Sequence, residues 1–426
     1  MNITHENTEI GKDENGVYAL IRFGPNWKDK VYLEEIFEDY VETDKTADIS
    51  IGPHLKHKVR NAPPAFYDHL DPHERKRIKN KLNLRAYYPN INDDMNLFHY
   101  LSKIYKKYPP KLAFKAENPK EHRVWAKKLV NKVKELAHYN MGKVPLKVEK
   151  GPSTTYKNIE MTKYYIQTAE FLKVPAILAK PKDLEDLEEK KPGIICVHGH
   201  NKGKINTVGM EKSSSNSYYG IELALRGYVT LSLDQWGWGE RRMQNLSKTE
   251  SNFEKVITKS SLLFGYTSIG IRCWEVSRAI DFLQTKDFVN DKFGVIGQSG
   301  GGTTAAFSSV FDNRIDASVI SGYFCTWYDS IFAMNHCICN FIPGIWQYAD
   351  LPDIMATRAP KPTFIVSGDS DPIFPQKGVQ NAYEKLKKAF ELYGQEENLG
   401  IDVIKDTGHV FRGKYAYPWL DEHFYN

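Results

Sequence analysis

Apolar positions in this chain follow two patterns. From about residue 171 onward, short runs of mostly apolar residues alternate with stretches whose apolar residues recur at helical spacing. The runs Phe171–Ala179, Ile194–Val197, Tyr228–Leu233, Phe293–Ile296, Ile315–Ile320, Pro362–Gly368 and Ile401–Ile404 predict strands. Between them, 221–226, 269–283, 303–310 and 379–392 read as helices. In the second of these, Ile271, Trp274, Val276, Ala279, Ile280 and Leu283 lie at helical spacing. Such alternation predicts a mostly parallel sheet with helices on both faces and the reacting groups at its C-terminal edge.

The first 150 residues read differently. Segments 30–41, 64–82, 94–108 and 119–138 all predict helices, with little strand signal. In the last of them Val124, Leu129, Val133 and Leu136 form one apolar stripe. The expected organisation is an N-terminal helical accessory region over 1–150, lying as a lid on the sheet edge, and a catalytic domain over 151–426.

Charge divides along the same line. Residues 1–50 carry 5 Lys+Arg against 12 Asp+Glu, and residues 51–150 carry 23 against 9, within a net charge of +5 for the 426-residue chain. A basic stretch of this kind can attract an anionic substrate, a nucleic acid or a membrane surface. No nucleic-acid-binding module is recognisable, so the expected account is solvated helix faces partly neutralised by the acidic arm. If the basic face borders the site, it favours an anionic ester. No run of eighteen apolar residues exists and the first residues are polar, so neither a membrane span nor a signal peptide is expected. The five cysteines are irregularly spaced, which suggests reduced thiols and a cytoplasmic protein. For Cys337-Ile338-Cys339, two side chains facing one way on an extended segment is preferred over a metal pair or a strained bridge.

Candidate chemistry starts at Gly297-Gln298-Ser299-Gly300-Gly301, between the 293–296 strand and the 303–310 helix. Strand, Gly-x-Ser-x-Gly and helix in this order make a nucleophile elbow, in which glycines leave room for a strained turn that lifts the hydroxyl above the sheet edge. An α/β-hydrolase then supplies an acid and a histidine on later loops. Asp369-Ser370-Asp371-Pro372 follows the 362–368 strand, and Gly408-His409 follows the last one. Asp371 is expected as the acid and Asp369 as a turn cap accepting backbone N–H groups. The oxyanion hole needs two converging backbone N–H groups, one from the residue after the nucleophile and one from the loop after the 194–197 strand; Gly300 and His200 are expected to supply them. His198 and His200 also form an H-x-H pair, but no third metal ligand stands at a recognisable spacing. His336 lies in an insertion, and His423 reads as a surface or satisfied histidine.

The Ser299 elbow, the His198–Lys204 loop, Gly368–Pro372 and Gly408-His409 together resemble the serine α/β-hydrolases of the dienelactone-hydrolase and acetyl-xylan-esterase-like groups. Segments 234–241 and 335–344 add to the resemblance, which covers roughly residues 155–426. It implies an α/β-hydrolase fold and a carboxylic-ester hydrolase with Ser299, Asp371 and His409 as triad, without metal or organic cofactor. The elbow carries serine where true dienelactone hydrolases carry a nucleophilic cysteine. The same residues would serve an amide or peptide hydrolase or an acyltransferase, and a silent binding protein on this scaffold would need only to lose one of them. Trp236, Trp238, His336 and Trp346 are candidate walls of a substrate pocket. The expected partner is a small-molecule ester; sequence does not address the oligomeric state.

Overall fold

The computed structural model of the protein describes residues 8–13, 16–22, 28–32, 97–184, 189–212, 215–243 and 250–425. Two compact units divide the chain, Met1–Tyr100 and Leu101–Asn426. The first contains an antiparallel meander of β1 (Thr8–Asp13), β2 (Gly16–Arg22) and β3 (Lys28–Tyr32), with Thr8 opposite Ile21 and Tyr18 opposite Tyr32. This corrects the all-helical expectation: residues 30–32 of the expected 30–41 helix are strand. Val17, Tyr18, Ile21, Val31 and Tyr32 are β-branched or aromatic, and their preference shows only once strands pair. The expected helix over 64–82 lies outside the described residues.

Helix α1 (Leu97–Lys107) and helix α2 (Pro119–Ala137) match their expected positions. Asn118 caps α2 by accepting from the Lys120 and Glu121 N–H groups, and Pro119 supplies the preset first φ. At the far end His138 adopts φ 53°. Leu129, Val133 and Ala137 of α2 are buried in the main core of the second unit, so the division falls at residue 100 and the expected boundary at 150 lies inside that unit.

The second unit continues through β4 (Glu149–Tyr156), β5 (Ile159–Ala169), β6 (Leu172–Pro181), β7 (Lys191–Val197), α3 (Lys204–Thr207), α4 (Tyr219–Leu225) and β8 (Val229–Leu233). Then come α5 (Glu250–Leu262), α6 (Ser268–Leu283), β9 (Val289–Gln298), α7 (Gly300–Phe311) and β10 (Ile315–Ser321). Last are α8 (Leu351–Ala356), β11 (Thr363–Gly368), α9 (Gln376–Glu391), β12 (Leu399–Ile404) and α10 (Ala416–Tyr425). The nine strands order as β12-β11-β10-β9-β7-β8-β6-β5-β4. Pairing is parallel from β12 to β8 and antiparallel from β8 to β4. Strands β4 and β5 were not anticipated from sequence, because their polar residues break any apolar run.

Alternation along the central strands sends side chains to two cores. Ile195, Val197, Leu231, Val295, Ile320 and Ile365 pack on the face covered by α2, α6, α7, α8 and α9. Ile194, Cys196, Ile296, Val319, Phe364 and Val366 pack on the face covered by α4 and α10. Two covered faces explain why these strands read as continuous apolar runs. At Gly270 helix α6 closely approaches α2: a Cβ there would collide with the Ala137 carbonyl oxygen, the same atom that accepts from Thr267 Oγ1 at 2.8 Å.

Candidate functional site

Strands β7, β9, β10, β11 and β12 end at one edge of the sheet, and the chemistry-bearing residues lie on the loops that leave them. At the end of β9, Ser299 holds φ 59° and ψ −121° at the start of α7. A non-glycine residue in this region is strained and persists only where its surroundings impose it. Here they do: Ser299 N–H donates to Ser321 O at 2.9 Å, and Thr303 N–H donates back to Ser299 O at 2.9 Å. A Cβ on Gly297 would collide with Gly301 O, and one on Gly301 would collide with Val197 O. The glycines of the motif thus let β9, α7 and β7 meet at backbone distance.

On the loop after β11, Asp371 is buried. Its Oδ2 lies 2.6 Å from His409 Nδ1, while its Oδ1 accepts from the Ile373 and Phe374 N–H groups at 3.0 and 3.2 Å. His409 stacks on Phe374 with centroids 5.7 Å apart. It stands beside Gly322 at the end of β10, where a Cβ would come within 2.9 Å of its ring. Gln298, the neighbour of Ser299, donates to the His409 carbonyl at 3.4 Å. His409 Nε2 is buried and makes no hydrogen bond among the described residues. With Nδ1 donating to the carboxylate, Nε2 carries a free lone pair. Asp369 is half-buried and accepts from Thr407 N–H at 3.2 Å, which laces the acid loop to the histidine loop. His423 bonds to Trp419 O and Asn398, and its ring lies tilted against that of Trp419.

The loop after β7 approaches the elbow from the other side. A Cβ on Gly199 would stand 3.3 Å from Ser299 Cβ, and one on Gly300 would stand 3.0 Å from the His200 ring. Gly300 opens α7, so its N–H is one of the helix's unpaired donors. His198 turns away from the site: its Nε2 accepts from Gln235 N–H at 2.9 Å and its Nδ1 bonds to Gly199 O. Burial holds it down to about 4, hence neutral. His200 goes the opposite way. Burial alone lowers it, but hydrogen bonds with Cys337 and Glu254 and the Glu254 charge push it up to about 9.

A buried ion-pair network fixes this loop. Lys204 Nζ reaches Asp234 Oδ2 at 2.6 Å and also pairs with Glu240, while Asp234 accepts from the Lys204 and Glu240 N–H groups. Glu240 in turn pairs with Lys163 at 2.6 Å. Arg241 forms a two-pronged pair with Glu275 at 2.7 Å. Glu240 and Arg241 therefore shape the loop. Lys204→Met should cost about 3–5 kcal/mol, because it leaves buried Asp234 without its counter-charge. Chemical denaturation of wild type and variant measures this, and a loss below about 1 kcal/mol would mean the network contributes little.

The candidate pocket residues separate into two groups. Trp238 is buried with its ring 5.2 Å from that of His200, and His336 packs on Phe374, 5.2 Å away, which joins it to His409. Trp236 lies under the Arg241 guanidinium. Trp346 instead joins Tyr105, Trp327 and Phe332 in an aromatic cluster where α1 meets the 322–360 insertion. Of the basic residues of α2, Arg123, Lys127 and Lys134 line a cleft with Arg358 and Lys361, just before β11.

Sequence reading passed over one further grouping. His200, Glu254, Cys337 and Cys339 bring their ligating atoms within 4.8 Å of one another. Cys337 keeps extended backbone as the N-cap of a 3₁₀ turn, Ile338–Asn340, which carries Cys339 instead of continuing the extended segment expected. All five cysteines are free thiols, and no described helix is long and apolar enough to cross a membrane.

A strand-order reversal, a strained Ser elbow and a carboxylate–imidazole pair on the last two strand loops define an α/β-hydrolase. The chain belongs to the Abhydrolase family, whose model matches residues 96–403. It is similar to "Putative hydrolase YtaP" of Bacillus subtilis, 28% identical over 248 residues, 56% of this chain and 78% of that protein. Among solved structures it resembles a "putative acetyl xylan esterase" from Bacteroides fragilis (TM-score 0.66, 17% identity, 78% of this chain and 96% of that one). It also resembles a glucuronoyl esterase from Solibacter usitatus (TM-score 0.54, 16% identity, 74% and 96%). These structural likenesses speak to the fold.

Proposed function

We propose that the protein is a serine hydrolase that cleaves small carboxylic esters through an acyl-enzyme on Ser299. The observation that carries this reading is the 2.6 Å Asp371–His409 contact with the unpartnered Nε2 beside the strained elbow. In the first half-reaction His409 Nε2 takes the Ser299 proton as Oγ attacks the ester carbonyl. Asp371 holds the imidazole in the tautomer that leaves Nε2 basic and then stabilises the imidazolium. The Gly300 and His200 N–H groups receive the oxyanion, with the positive end of α7 behind Gly300. His409 returns its proton to the departing alkoxide, and the same base activates water to release the acid. Sugar esters are reasonable first substrates, since proteins of this fold named acetyl xylan and glucuronoyl esterases are among those it resembles. Amide hydrolysis and transfer to an alcohol use the same residues and are separated by assay.

A fluorophosphonate probe tests the reading directly. Peptide mapping should place a single adduct on Ser299, with labelling lost on prior denaturation. Absence of label in a well-folded chain that turns over p-nitrophenyl acetate would assign the hydrolysis elsewhere.

A further inference from the structure

Beside the elbow, and separate from Ser299, Asp371 and His409, stand four side chains of the kind that ligate metals. His200 Nε2 lies 3.4 Å from Glu254 Oε2 and 3.4 Å from Cys339 Sγ, and Cys337 Sγ lies 2.8 Å from the same glutamate oxygen. They arrive from three separate segments: the loop after β7, helix α5, and the turn at 337–339 within the insertion. We propose that these four side chains hold one zinc-type divalent cation in a closed tetrahedral site.

The donor set is the first argument. Two sulfurs, one imidazole nitrogen and one carboxylate oxygen suit a borderline-soft ion and are poor ligands for magnesium or calcium. Bonds of about 2.3 Å to sulfur and about 2.0–2.2 Å to nitrogen and oxygen set tetrahedral donors about 3.4–3.8 Å apart. The observed spacings, from 2.8 Å to within 4.8 Å, bracket that range, so ligation asks for small side-chain shifts and no backbone rearrangement.

Charge is the second. Glu254 is fully buried and gives its Oε1 to Arg272, which leaves Oε2 facing His200 and Cys337. Two thiolates and one carboxylate supply three negative charges. A divalent ion together with Arg272 supplies three positive ones, so the buried group becomes neutral. Support from outside the ligands is the third. Asn340 Nδ2 donates to Cys337 O at 3.2 Å, and its Oδ1 accepts from Thr303 Oγ1 at 2.8 Å, tying the cysteine turn to the nucleophile helix. Trp238 packs on the His200 ring, whose side chain remains 29% exposed and offers the ion a way in.

Such an ion would be structural, since all four positions are taken by protein. It would staple the loop after β7 to α5 and to the insertion. On the reading of Ser299 as nucleophile, it would thereby fix the backbone of His200 at the oxyanion hole.

The test reads metal directly and so is independent of ester turnover. Full-length protein expressed with zinc available and purified without chelator should contain one zinc per chain. Cys337→Ser/Cys339→Ser and Glu254→Gln should each lose that zinc. Cobalt loaded into the wild type should give thiolate-to-cobalt charge-transfer absorption and the intense visible bands of a tetrahedral site, which needs no variant to fold. Stripping the ion should lower Tm, and zinc should restore it. Wild-type protein that takes up neither zinc nor cobalt overturns the proposal. So does a Cys337–Cys339 disulfide found by alkylation and mass spectrometry in protein handled anaerobically, or cobalt bands unchanged in Cys339→Ser.

Discussion

Ser299→Ala should lower kcat/KM for p-nitrophenyl acetate by about 10⁶-fold, to the level that the remaining oxyanion donors and binding can sustain. The size of the effect follows from removing the nucleophile: water would have to attack without a covalent intermediate. Stability should hardly change. Alanine takes on the same backbone conformation, and the bonds that impose it, Ser299 N–H to Ser321 O and Thr303 N–H to Ser299 O, are made by main chain. Steady-state kinetics with a Tm measurement on the same sample separates lost chemistry from lost fold. A folded variant retaining a tenth of wild-type activity would remove Ser299 from the mechanism.

Asp371→Asn is expected to lower kcat by about 10⁴-fold through the tautomer of His409. The carboxylate uses Oδ1 on the Ile373 and Phe374 N–H groups and Oδ2 on His409 Nδ1. An asparagine keeping the first pair of bonds must turn its NH₂ toward the imidazole. Nδ1 then accepts, the proton moves to Nε2, and the nitrogen that the proposed mechanism uses as base can no longer act as one. Asp369→Asn provides the internal control, since the Asp369 carboxylate bonds to Thr407 N–H and Ser370 Oγ and not to His409. Its kcat should stay within a few-fold of wild type. Equal losses in the two variants would mean that the acid had been assigned to the wrong position on the loop.

The parts legible from sequence were those whose signals are local. Buried strands write themselves as apolar runs, so the parallel strands β7 to β12 and the antiparallel β6 were anticipated to within a few residues. The elbow needs glycine at 297 and 301 because backbone atoms of Val197 and Gly301 occupy the space a Cβ would fill. An N-terminal meander and the β4–β5 pair escaped because polar residues interrupt any apolar run in them, and their strand character appears only on pairing. Trp346 packs against Tyr105 of α1 and Trp327, contacts that an aromatic residue in an insertion does not signal in sequence.

Sequence alone determined the order of strands β6 to β12, the strand–Ser–helix elbow and the succession of Ser299, Asp371 and His409, since each rests on local signals along the chain. Tertiary structure decided which of them meet. The 2.6 Å Asp371–His409 contact spans 38 residues, and His200, Glu254, Cys337 and Cys339 converge from segments up to 139 residues apart. Neither could be read from spacing, because ligands and partners gathered from separate loops obey the geometry of the sheet edge, and that geometry comes into being only when the strands align.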